Sequence, residues 1–210
     1  MPLIIPANTL TGGYEVANSC RFNDDDSAEM HKTPGGAGNQ DVWTFSCWVK
    51  RGRIGTGNTQ TLYGVYADSS NQEILAFNSG GSIDTIYWQM HQGGAKVGEL
   101  QTNRLFRDSS AWYNIVISYN SAASATLRMR MWINGTEETS FSSDVNPTSG
   151  LNSQWNGTTK HQIGCQNTQS YLDGYLAEVV SLDGTAVTDA TNFGEFDEDS
   201  PTIWKPIDVS

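Results

Sequence analysis

Apolar and polar side chains alternate with a period of two along much of this chain, the pattern of strands with one buried face. In Trp43-Thr44-Phe45-Ser46-Cys47-Trp48-Val49-Lys50 the odd positions are apolar, and Trp48 alone breaks the polar set. Leu127, Met129 and Met131 alternate in the same way up to Ile133. Asn134-Gly135 follows, the pair suited to a type I′ turn because both of its central residues need positive φ. The segment Thr136 to Phe141 is expected to return antiparallel. Further strands are predicted at Thr61 to Tyr66, Ile74 to Asn78, Ile83 to Met90, Ala111 to Tyr119, His161 to Cys165 and Tyr171 to Leu182, each bounded by Gly, Asn, Asp or Ser. Phe45, Ile115 and Val179 are expected on the core face. One short helix is predicted after Thr188, with Phe193 as its anchor and Gly194 ending it.

The number and spacing of these segments predict an all-β, two-sheet antiparallel sandwich with at most one short helix. It is read as one domain over residues 1–210, with segment 1–20 and a C-terminal strap, 200–210, packing on it. The strap holds Trp204 between Pro201 and Pro206. Charged residues make up only 17% of the chain and glycine occurs 21 times, as many short strands and turns require. Twelve Lys and Arg stand against 23 Asp and Glu, a net charge of −11 that repels phosphate backbones and anionic lipid. Nucleic acid and anionic membrane are therefore poor candidate partners, and no apolar run is long enough for membrane insertion to be expected. The opening Met1-Pro2-Leu3-Ile4-Ile5-Pro6 does not read as a secretory signal. Cys20, Cys47 and Cys165 are odd in number and widely spaced, and read as thiols rather than disulfide or metal partners. No organic cofactor is implied.

Three stretches together carry a resemblance. They are Trp43 to Arg51, then Leu105-Phe106-Arg107-Asp108-Ser109-Ser110-Ala111-Trp112-Tyr113, and finally Tyr171-Leu172-Asp173-Gly174-Tyr175-Leu176-Ala177-Glu178-Val179 with Phe193-Gly194-Glu195-Phe196-Asp197 and Ile203-Trp204-Lys205-Pro206. In that order they resemble the concanavalin A-like, laminin-G-like jelly-roll domains of tailed-bacteriophage virion proteins. The starts of such proteins also resemble Ile5-Pro6-Ala7-Asn8-Thr9-Leu10 and Cys20-Arg21-Phe22-Asn23-Asp24. The resemblance implies a non-catalytic role as a tail fibre, receptor-binding module or capsid decoration. It implies a place on the virion surface and loops that bind either another virion protein or a host-surface glycan, with a symmetric homo-oligomer such as a trimer expected of an assembly or decoration protein. Relatives often continue beyond the Trp-Lys-Pro segment, so the chain is expected to be either a small decoration protein or the N-terminal domain of a fibre. Trp43, Trp112, Tyr175 and Trp204 are expected to be scaffold, each fully buried ring contributing roughly 1.5–3 kcal/mol.

Sugar recognition needs an aromatic face for the pyranose and planar polar groups for its hydroxyls. Tyr63, Tyr66, Trp88, His91, Trp132 and Trp155 are the candidates. Trp132 lies opposite Met129 and Met131, so its indole faces solvent or a neighbouring subunit unless that face is covered too. For calcium, which some laminin-G-like domains bind, Asp24, Asp25, Asp26 and Asp173 are candidate oxygen ligands, without the fixed spacing of an EF-hand. A solvated acidic turn is the simpler reading.

The same sandwich also carries glucanases, so hydrolysis is the alternative. Glu195-Phe196-Asp197-Glu198-Asp199 approximates the paired-carboxylate pattern of a retaining glycosidase. It departs at Asp199, and Gly194 and Pro201 flank it, so a turn is expected there. His31, His91 and His161 show no triad pattern. Asn134-Gly135-Thr136 and Asn156-Gly157-Thr158 read as turns before they read as glycosylation acceptors.

Overall fold

A computed structural model describes residues 14–79 and 81–209. Two antiparallel sheets pack face to face. The six-stranded sheet runs in the order β1 (Cys20–Phe22), β13 (Gly174–Asp183), β3 (Val42–Arg51), β8 (Tyr113–Asn120), β9 (Met129–Ile133) and β10 (Thr136–Glu137). The seven-stranded sheet runs β11 (Phe141–Val145), β7 (Ala95–Thr102), β6 (Ser82–Gln92), β5 (Asn71–Ser79), β4 (Gln60–Asp68), β12 (His161–Ile163) and β2 (Met30–Lys32). A separate two-stranded ribbon joins β14 (Glu195–Phe196) to β15 (Trp204–Lys205). Among the described residues no helix is long and apolar enough to cross a membrane.

The period of two builds the core. Trp43, Phe45, Cys47 and Val49 point inward from β3, and Ile115, Ile117 and Tyr119 do so from β8, in a register that sets Phe45 beside Ile117. Tyr63, Val65, Leu75, Phe77, Trp88 and Met90 answer from the facing sheet. Trp155, on the loop 146–160, plugs the middle, its ring 4.3 Å from that of Tyr63 and 6.0 Å from that of Trp43.

The outer face of the six-stranded sheet is covered as well. Trp48, Val116, Trp132 and Ala177 form a second apolar layer under Val187, Ala190, Phe193 and Trp204. The Trp204 indole N–H donates to Asn114 Oδ1 at 3.0 Å. Asn134 and Gly135 both have positive φ, 48° and 75°, as a type I′ turn demands. At Gly135 the turn also needs the missing side chain, because a Cβ there would lie 2.3 Å from the Trp204 ring.

Several expectations change. The return strand after that turn pairs for only two residues; Phe141 then opens β11 in the other sheet, opposite Thr102. No helix follows Thr188: Asp189 Oδ1 accepts from the backbone and hydroxyl of Thr191, which closes a turn instead. The one helical element among the described residues is a 3-10 turn at Ala125–Leu127, which leaves Leu127 exposed. Val179 is 44% exposed rather than core, because the register slips between Ala177 and Val180 and Glu178 takes φ 46°. Tyr175 is also outward, with Arg21 over its ring at 5.3 Å. β7 escapes the period-two reading because Lys96, Glu99 and Gln101 break up its apolar positions. Of the N-terminal segment, residues 1–13 lie outside the described residues; 14–19 run beside the six-stranded sheet, where Val16 packs on the second layer. Ser210 also lies outside them.

Candidate functional site

The aromatic candidates divide by burial. Trp88, Trp155 and Tyr63 belong to the core, and Trp132, 2% exposed, lies beneath the C-terminal strap. None presents a face to a ligand, so the expectation of outward indoles is corrected. The reason is that alternation assigns a face, whereas covering segments decide exposure. Tyr66 and His91 are half-buried on the outer face of the seven-stranded sheet. They share one cross-strand row through Gln72, which pairs with both.

The calcium candidates do not converge. Asp24 is taken by Arg53 and Asp173 by Arg21, and Asp26 accepts from the Asn23 amide at 2.6 Å. Arginine charge occupies the lone pairs a cation would need. No group of three or more His, Cys, Asp or Glu able to hold a metal occurs among the described residues.

The outer face of the seven-stranded sheet carries a polar chain that the sequence did not signal. Glu99, with its side chain 3% exposed, accepts from Lys96 Nζ and Gln89 Nε2, both at 2.6 Å, and from Ser143 Oγ. Gln89 Oε1 in turn meets His91 Nε2 at 3.0 Å. Burial alone would raise the Glu99 pKa, but the bonds from Lys96, Ser143 and Gln89 hold it below the usual range. An ionised carboxylate with three donors is an orienting group and not a proton donor. Its cross-strand neighbours are Gln89 and Val145, neither of them a carboxylate. The acidic run offers no catalytic pair either: Glu195 lies on the small ribbon, and both it and Asp197 pair with Lys205. Asp197 also accepts from the backbone of Asp199 and Ser200, so the run forms the turn expected of it.

At one end of the sandwich, where loops of both sheets meet, lies a polar cleft of about 390 Å³, lined by Asp24, Gly57, Asn58, Thr59, Gln169, Ser170 and Tyr171. Three loops build it: the turn after β1, the β3–β4 connection and the β12–β13 connection. The last is the informative one. Gln166 and Gln169 exchange backbone hydrogen bonds at 3.0 and 2.9 Å around Asn167 and Thr168, whose φ values are 50° and 57°. A β-branched residue in the left-handed region is strained by about 1–3 kcal/mol and persists only where its surroundings hold it. Here they do. Gln162, itself buried, accepts the Asn167 N–H at 2.9 Å, and Gln166 donates to the carbonyl of Glu73 at 3.2 Å. Gly64 makes room beneath, since a Cβ there would meet Gln166 at 2.8 Å. Ser170, also left-handed at φ 57°, accepts the Thr61 N–H at 2.9 Å.

The result is a rigid rim in which one aromatic ring, Tyr171, shares a concavity with the planar groups of Asp24, Asn58 and Gln169. Aromatic surface with fixed planar donors and acceptors suits the apolar and hydroxyl faces of a sugar. Of these residues only Asp24 was a candidate from sequence, and then as a metal ligand. Left-handed backbone without glycine leaves no compositional mark, so the rest had no signal to find.

The family described as the concanavalin A-like lectin/glucanases superfamily, in a laminin-G form, matches residues 23–192. No curated protein matches the sequence. Among solved structures, domains LG4-5 of the mouse laminin alpha1 chain align over 95% of this chain and 47% of theirs, with 12% identity and a TM-score of 0.57. Tailspike protein 2 from the Escherichia coli O157:H7 bacteriophage CAB120 aligns over 80% of this chain and 22% of its own, with 13% identity and a TM-score of 0.55. A mutant of NanB sialidase from Streptococcus pneumoniae aligns over 85% and 28%, with 16% identity and a TM-score of 0.54. This chain thus spans less than half the length of each. Likenesses at such identities are likenesses of fold.

Proposed function

The chain belongs to the concanavalin A-like lectin/glucanases superfamily, and on that premise we propose that it is a non-catalytic binding module of a tailed-bacteriophage virion that holds a host-surface glycan in the end cleft. The observation that carries this reading is the strained, doubly pinned 166–170 loop, which sets Tyr171 and Gln169 opposite Asn58 and Asp24. Strain kept in one place by the buried Gln162 and the half-buried Gln166 is a feature of ligand sites more than of connecting loops. The virion assignment is supported by the aromatic landmarks in sequence order, from Trp43 through Trp112 to Trp204. A stiff sandwich whose loops bind suits either a fibre tip or a decoration site, and a symmetric homo-oligomer, a trimer being the expected form, would multiply a weak single-site affinity.

The non-catalytic part rests on the carboxylates. Glu99 is locked by three donors, and Glu195 and Asp197 lie on a hairpin away from the cleft. A retaining glycosidase would need two facing carboxyl groups about 5–5.5 Å apart.

The test is retention on an array of immobilised bacterial surface polysaccharides, with reducing sugar assayed in parallel. Wild-type protein should be held by a subset of the polysaccharides and release no reducing ends, and Tyr171→Ala should lose most of that retention. Release of sugar, or retention unaffected by Tyr171→Ala and Gln169→Ala, would overturn the reading.

A further inference from the structure

A second concavity lies on the outer face of the six-stranded sheet and shares no lining residue with the cleft. Where the C-terminal strap leaves the outer face of the six-stranded sheet uncovered, a groove of about 380 Å³ runs between the extended segment 14–19 and Pro206. Trp48, Trp112 and Ala177 line it from the sheet side. Two indoles thus bound a space that the second apolar layer does not fill.

The rim is acidic. Glu15 lines the groove and is exposed, and the Tyr14 hydroxyl donates to Glu178 Oε1 at 3.1 Å. Besides desolvation, Glu178 and Asp208 both push the Tyr14 pKa up, so two further carboxylates bear on this end of the groove. No Lys or Arg is among the lining residues. Lys205, beside Pro206, is engaged elsewhere, pairing with Glu195 and Asp197.

An indole face is negative and attracts an organic cation within about 6 Å of its centre, the more so when carboxylates stand nearby. A neutral apolar ligand would have no use for three carboxylates, and an anionic one would be repelled. We infer that this groove binds an arginine or lysine side chain presented by a basic segment of a partner protein, its charged head over the indoles of Trp48 and Trp112 and facing the carboxylates of Glu15 and Glu178. The net charge of −11 steers such a segment toward the protein.

The test uses the full-length chain and three probes: acetyl-Gly-Arg-Gly-amide, acetyl-Gly-Lys-Gly-amide, and the neutral isostere with norleucine at the centre. The readout is the indole N–H resonances of Trp48 and Trp112 during titration. Both cationic peptides should shift them saturably in the millimolar range, and the norleucine peptide should bind roughly three- to tenfold more weakly. Glu15→Gln with Glu178→Gln should narrow that difference to near zero while leaving norleucine binding unchanged. Trp112→Ala should abolish the response at Trp48. Equal binding of the norleucine peptide, an equal response to a neutral monosaccharide, or no shift with any probe would overturn the proposal. Because the cleft and the groove share no lining residue, Tyr171→Ala should leave these titrations unchanged, so the two sites fail independently.

Discussion

Ser153 donates its hydroxyl to Glu73 Oε2 at 2.9 Å in the middle of the core, across 80 positions of sequence. The same oxygen accepts the backbone N–H of Gln154 and Trp155, while Oε1 accepts from the Tyr63 hydroxyl at 2.7 Å and Trp88 Nε1 at 2.9 Å. One buried carboxylate therefore ties the loop carrying Trp155 to the seven-stranded sheet. Burial raises its pKa, and the bonds from Tyr63, Trp88, Ser153 and Trp155 oppose that rise.

Removing the acceptor would strand the Tyr63 hydroxyl, the Trp88 indole N–H and the Gln154 N–H, while Ser153 and Trp155 keep each other as partners. Glu73→Leu is expected to cost on the order of 3–5 kcal/mol, and Glu73→Gln about 1–2 kcal/mol because one oxygen survives. Urea denaturation followed by tryptophan fluorescence measures both. Midpoints close to wild type would show that the loop needs no such anchor.

His161 gives the fold a pH dependence. Its Nδ1 lies 2.7 Å from the Thr159 carbonyl and its Nε2 accepts the Asn156 N–H at 2.9 Å, so a proton added at Nε2 would face a donor. Burial accordingly lowers its pKa below the usual 6.5. Between the lowered value and the ordinary one, the unfolded chain binds more protons than the folded chain. This contribution to stability is thus complete above about pH 7 and falls as pH drops through the ordinary histidine range, levelling off below the folded pKa. His161→Gln, which can keep both hydrogen bonds, should flatten that part of a plot of urea midpoint against pH.

Trp132 and Tyr171 should separate stability from binding. Trp132→Ala empties the layer under the strap and is expected to cost about 3–5 kcal/mol, with glycan retention intact in the folded fraction. Tyr171→Ala, at the edge of the cleft, should change stability by no more than about 1 kcal/mol while removing most of the retention. Thermal melts and array retention on the same two proteins check this.

Gly135→Ala should loosen the strap. The new Cβ would need φ near 75° and would collide with Trp204, so a loss of more than about 1 kcal/mol is expected. Limited proteolysis should then cut near residues 197–203 faster than in wild type. Equal rates would mean that Trp204 is held by other contacts.

The sandwich was legible because β3 over residues 43–50 and β8 alternate with only Trp48 and Val116 as exceptions, which places Phe45 and Ile115 inside without tertiary information. Alternation could not say whether a face is covered, and so Trp132 read as outward when Val187, Ala190, Phe193 and Trp204 pack over its layer. Nor does it survive a slipped register: Glu178 at positive φ turns Val179 to the surface. The cleft was still harder to read. Asp24 is neutralised by Arg53, which is distant in sequence, and Thr168 adopts a glycine-like conformation that no local composition announces.

The most direct measurement is a map of contacts for whichever oligosaccharide the array retains, by amide chemical-shift perturbation on the isotope-labelled full-length chain. The account predicts that the largest shifts fall at 57–59 and 169–171 together with Asp24, and that they vanish in Tyr171→Ala. Shifts centred instead on Gln89, His91 and Glu99, or on Trp48 and Trp112, would contradict it.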